Sequence, residues 1–149
     1  MLVIKKDLFK GLKQPISQRL FGTNKTWRGF VFVAFVNAFL VYLLELAFNF
    51  QLQQAFFIGC ILGCSYMLFE LPNSFMKRKL GIQPGQEANS HKIMFKLIDK
   101  MDSAFGVSLV YFLIGNISFQ SAVLLFICSS VTHISISQIL VQLHLKKSF

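Results

Sequence analysis

Apolar residues fall in four long blocks along the chain, at about 30–50, 55–71, 101–117 and 121–143, without the alternation of a half-buried strand. A helix needs roughly 20 residues to cross the hydrocarbon core of a bilayer, so each block is long enough to cross it or nearly so. The second and third are short, which suits helices tilted against partners or opening at one end on a water-filled cavity. The pattern predicts an all-α protein, a polytopic integral membrane bundle of about four transmembrane helices. It reads as a single membrane domain over 1–149, with a basic N-terminal segment at 1–29 and a long linker at 72–100.

Composition strengthens this reading. Of 149 residues 54% are hydrophobic and 18 are Phe, and the mean hydropathy of +0.59 lies far above that of a water-soluble domain. Charge then orients the chain. All 15 Lys and Arg lie at 5–28, at 77–100 and at 146–147. The remaining connections, near Asn49 and near Asn116, carry no charge. Four crossings put the three basic segments on one face, and the positive-inside rule makes that face cytoplasmic. The net charge of +9 is then explained by orientation and by anionic lipid head groups, without a nucleic-acid partner. The first 29 residues are basic and amphipathic and lack a signal-peptide core, so the N-terminus is expected to stay in the cytoplasm.

Polar residues next to the apolar blocks supply the candidate chemistry. Asp99 and Asp102 stand three residues apart, and on a helix they share one face at the mouth of the third block. Such a pair can hold Mg²⁺, which takes one or two carboxylates plus substrate phosphate oxygens. The plainer alternative is two solvated acids near a helix start, where the dipole favours them. Upstream, Asn24, Lys25, Thr26 and Arg28 lie between Gly22 and Gly29. They form either a phosphate-binding group or a cationic anchor with an interfacial Trp27. Long linkers often carry function, and this one holds Ser74, Lys77, Arg78 and Pro84-Gly85.

Asn24-Lys25-Thr26-Trp27-Arg28-Gly29 resembles the signature of the CDP-archaeol synthases. The linker resembles that of the wider CDP-diacylglycerol synthase (phosphatidate cytidylyltransferase) superfamily, in which an acid precedes Ser-x-x-Lys-Arg, a Pro-Gly turn and Asp-x-x-Asp. Here Glu70, Ser74 to Arg78, Pro84-Gly85, and Asp99 with Asp102 stand in that order. The resemblance runs from about Pro15 to the C-terminus, where His133 and Leu145-Lys146-Lys147 also match. Two positions depart from the family: Thr23 stands where an acid is usual, and Glu70 where Asp is usual. The archaeal enzymes carry a further apolar helix ahead of the signature, for which residues 1–20 are too charged. The His-Gly-Gly turn of the bacterial and eukaryotic enzymes is missing, which places the chain nearer the archaeol-type branch.

The resemblance implies a CTP-dependent cytidylyltransferase at the cytoplasmic membrane, turning a lipid phosphate into a CDP-lipid and pyrophosphate. It implies Lys77, Arg78, Asp99 and Asp102 as catalytic residues. Asp99, Asp102 and Glu70 would be ligands to Mg²⁺, and Asn24, Lys25, Thr26, Arg28 and Ser74 would be contacts to CTP and lipid phosphate. Its rivals are a CTP-dependent prenol kinase and a non-catalytic membrane subunit that keeps the signature. An alcohol nucleophile would need a general base, and no unassigned carboxylate or His stands out near the signature loops, which mildly favours the cytidylyltransferase. Among the other polar residues, Glu45 lies inside the first block, where a carboxylate is a functional candidate by default; the plainer readings are that it faces the outer boundary or pairs with a helix neighbour. Cys60, Cys64 and Cys128 read as inert thiols, and His91, His133 and His144 form no cluster. Gly59 and Gly63 are spaced for close helix approach, inside the subunit or across a homodimer interface.

Overall fold

The computed structural model describes residues 10–50, 54–83 and 92–143, in which every long element is a helix. A 3-10 turn at Lys10–Leu12 precedes α1 (Gln18–Phe21), α2 (Trp27–Phe48), α3 (Ala55–Lys79), α4 (Lys92–Ile114) and α5 (Phe119–Gln142). Among the described residues the strand-like pairing is limited to an isolated bridge between Pro15 and Thr26. Pro84-Gly85, His91, His144 and Leu145-Lys146-Lys147 lie outside the described residues.

Among the described residues three helices, α2, α3 and α5, are long and apolar enough to cross a membrane, while the apolar part of α4 is the shorter Met101–Ile114. Large apolar side chains point outward, with Phe57 64%, Leu113 69% and Phe119 71% exposed, while small residues such as Ala34, Ala38 and Ala122 are buried. A water-soluble protein would show the opposite. Helices in lipid pack through small residues and turn large apolar ones to the acyl chains.

The linker differs from the expectation over 72–100. Helix α3 continues through Lys79, because Lys77, Arg78 and Lys79 occupy its last turn, where cations oppose the negative end of the helix dipole. Ser74, Lys77 and Arg78 are therefore helical, and Asp99 lies within α4. Helix α3 stops at Gly81, whose φ of 75° is left-handed. There Ile82 N–H donates to Lys77 O and Gly81 N–H to Arg78 O, both at 3.0 Å, the paired bonds of a Schellman terminus.

The chain divides into two compact units, Met1–Cys64 with Ser74–Gln86 and Ser65–Asn73 with Glu87–Phe149. In the first, Gly59 and Gly63 let α3 approach α2. A Cβ on Gly59 would fall 2.7 Å from Ala38 Cα, and one on Gly63 would fall 2.7 Å from Ala34 Cα. The glycine pair is thus used inside the subunit. In the second unit, residues 65–73 of α3 run antiparallel to α4, with Phe69 against Gly106 and Asn73 against Asp99 and Asp102. Edge-on ring pairs extend this packing, from Phe69 to Phe105 and from Phe105 to Phe126 on α5, each with centroids 6.0 Å apart.

Candidate functional site

The acid pair belongs to the second unit. As the i,i+3 spacing predicts, α4 carries Asp99 and Asp102 on one face, and Asn73 of α3 stands opposite them. Asn73 Nδ2 donates to Asp99 Oδ1 and, at 3.1 Å, to Asp102 Oδ2. The other oxygen of Asp102, Oδ1, accepts the Ser103 N–H at 2.6 Å. Asn73 is buried, at 7% exposure, and Ser103 fully so, whereas Asp99 is exposed and Asp102 half-buried. The pair therefore sits at the surface of the protein, above a buried amide.

Glu70 lies one turn before Ser74 on α3, and its carboxylate and that of Asp99 are both within electrostatic range of Asp102. Tyr66, one turn earlier still, is within range of Glu70 and Asp102, and its ring stands edge-on to His133 of α5 with centroids 6.3 Å apart. Among the described residues no group of three or more His, Cys, Asp or Glu side chains is arranged to hold a metal ion. What the unit offers is two hard carboxylates gathered on one amide, a donor set that fits Mg²⁺ completed by substrate oxygens.

The cationic candidates belong to the first unit. Ile16 N–H donates to Lys25 O at 2.8 Å and Trp27 N–H to Gln14 O at 3.1 Å, clasping 14–16 beside 25–27. Inside that clasp Ser17 caps α1, and Gly22, with φ of 83°, ends it. Asn24 is exposed on the following turn and Lys25 is half-buried. Thr26 is the N-cap of α2, its Oγ1 accepting the Gly29 N–H at 3.2 Å, so this hydroxyl has a structural task that the motif alone did not show. Arg28 sits in the first turn of α2 and is buried, at 9% exposure.

At the other end of α3, Ser74, Lys77 and Arg78 are half-buried on its last turns. Arg78 Nη1 donates to Ile82 O, the carbonyl that the Schellman turn folds back toward it, and its Nε is buried with no hydrogen-bond partner among the described residues. The residue that sequence reasoning missed is Asn73. Its one visible signal is a polar side chain three residues beyond Glu70, at the end of an otherwise apolar run.

Comparison with known proteins gives a consistent family. The family model described as CarS-like, CDP-archaeol synthase, matches residues 7–149. The CDP-archaeol synthase of Staphylothermus marinus is 31% identical over 104 residues, 68% of this chain and 53% of that protein. That of Pyrococcus furiosus is 32% identical over 73 residues, 48% of this chain and 44% of that protein. That of Methanoculleus marisnigri is 31% identical over 128 residues, 78% of this chain and 72% of that protein. The chain thus spans about half the length of the first two relatives. No solved structure matches it.

Proposed function

The chain belongs to the CDP-archaeol synthase family, and from that premise we propose that it transfers the cytidylyl group of CTP to a lipid phosphate at the cytoplasmic leaflet. The acceptor is of the phosphatidic or isoprenoid-ether type. An oxygen of the lipid phosphate attacks the α-phosphorus of CTP, the bond to the bridging oxygen breaks, and pyrophosphate leaves with the electron pair. A phosphomonoester has its second pKa near ~6, so the nucleophile is already ionised at neutral pH and needs little help from a base. The difficulty is electrostatic, since one anion must approach another.

The side chains suit that task. Lys25, Arg28, Lys77 and Arg78 would neutralise and grip phosphate oxygens, the arginines through two parallel N–H donors. Asn24, Thr26 and Ser74 would orient those oxygens. Asp99 and Asp102 would hold Mg²⁺, with Glu70 adding negative charge nearby. The metal, when bound, would offset the charge of the triphosphate. In this reading four helices cross the membrane, α4 included, and the ends that carry Arg28, Lys77 and Asp99 face the cytoplasm.

The observation that carries the proposal is the aspartate pair, gathered on one amide in a chain whose family match extends from residue 7 to residue 149. The test is positional labelling. Purified protein is given Mg²⁺, lipid phosphate and CTP labelled at either the α- or the γ-phosphorus. The α-label is expected in the lipid, with pyrophosphate released. Entry of γ-label into the lipid, with CDP left behind, would replace this assignment with a kinase.

A further inference from the structure

Asp99 and Asp102 repel each other, and a carboxylate at the edge of an apolar layer is stable only with hydrogen-bond or cationic partners. The molecule meets this with a neutral group. Asn73 brings both of its Nδ2 hydrogens to the two aspartates. Ionised carboxylates only accept, so the amide must present its nitrogen to them and its oxygen away. At 7% exposure Asn73 cannot exchange these bonds for bonds to water. Nor can it follow the carboxylates if they move apart, because Phe69, one turn away on α3, is seated on Gly106, one turn from Asp102 on α4.

We infer that Asn73 is a positioning residue that holds Asp99 and Asp102 at a fixed separation and orientation, so that a divalent cation meets a preformed pair. It engages one oxygen of each aspartate, while the Ser103 N–H fixes the second oxygen of Asp102. Groups that hydrogen-bond metal-ligating carboxylates in this way change metal affinity by about 10- to 100-fold when removed. The inference rests on the metal-binding reading of the aspartates in the proposed function.

The test is direct binding of Mn²⁺, followed by electron paramagnetic resonance on the full-length protein in detergent without CTP or lipid phosphate. Asn73→Leu keeps the γ-branched shape and favours the helix more than Asn does, but removes both donors, whereas Asn73→Gln keeps the amide one methylene further out. Wild type should bind Mn²⁺ at least tenfold more tightly than N73L, and N73Q at least threefold more tightly than N73L. A purely structural role for Asn73 would lower the melting temperature in chelator and leave Mn²⁺ affinity alone. Mn²⁺ affinities of wild type and N73L within twofold of each other would overturn the positioning role while leaving the aspartate site standing. Absence of Mn²⁺ binding in wild type, or binding unchanged in D99N, would overturn the metal reading and this inference with it. If N73L does not fold, Asn73→Ser, which keeps a single donor, takes its place against the same thresholds.

Discussion

Gly106 of α4 lies against the ring of Phe69 on α3 so closely that a Cβ there would overlap the ring atoms. This contact sets the register of two antiparallel segments. One turn along α3 from Phe69 is Asn73, and one turn back along α4 from Gly106 is Asp102, which is why those two side chains meet. The position of the acid pair is a consequence of where a glycine stands.

Gly106→Ala should therefore destabilise the protein by about 1–3 kcal/mol, the usual cost of overfilling a packed interface. It should also weaken turnover, because the register that aligns Asn73 with Asp102 must shift. Thermal unfolding in detergent and a CTP turnover assay measure the two effects. An unchanged melting temperature would show that the two helices part without strain.

Asp99→Asn and Asp102→Asn keep size, and each new side-chain oxygen can still accept from Asn73, so both variants should fold. What they remove is a hard anionic ligand. Turnover should drop at least about a hundredfold in each, equivalent to about 2.7 kcal/mol of transition-state stabilisation. Rates within threefold of wild type for both variants would exclude the aspartates from the chemistry.

Thr26 carries two assignments, the N-cap of α2 and a proposed contact to phosphate, and one substitution separates them. Asp is a good N-cap, so Thr26→Asp should keep the melting temperature close to that of wild type, whereas Thr26→Ala should cost about 1 kcal/mol. A carboxylate facing phosphate would repel it. Turnover in T26D is expected to fall more than tenfold with the fold intact, and wild-type turnover in T26D would assign Thr26 to capping alone.

The parts legible in the sequence were those that depend on local spacing. Apolar length gave α2, α3 and α5, and i,i+3 spacing gave the shared face of Asp99 and Asp102. The extent of α3 was not legible, because the polar run from Ser74 to Lys79 reads as linker until the dipole preference of its basic last turn is counted. Asn73 was not legible either, since its partners lie on another helix and meet it only through the Phe69–Gly106 contact. Thr26 was recognised as part of a motif, but its capping role appears only once α2 is seen to start at Trp27. Gly59 and Gly63 left two uses open, and the close approach of Ala38 and Ala34 shows the one inside the subunit.

The final prediction concerns orientation, and it follows from the two ends of α3. Gln54 caps one end of the helix, without any basic residue nearby, and Lys77, Arg78 and Lys79 crowd the other. A cation at the bilayer centre costs roughly 2.5–3.5 kcal/mol, so three together are strongly held on the side where they are first retained. Under the positive-inside rule that side should be the cytoplasm, and Gln83, just past the Schellman turn, should share it. The three native cysteines are free, and replacing them with alanine gives a background for single new cysteines. In intact cells, Gln54→Cys should react with a membrane-impermeant maleimide, and Gln83→Cys should react only after the membrane is opened. The reverse pattern would invert the protein and put the aspartate pair outside, away from CTP. Equal labelling of both in intact cells would mean that α3 does not cross. Replacing Lys77, Arg78 and Lys79 together with Gln removes the charge that fixes orientation, and in that variant some Gln83→Cys should become accessible from outside.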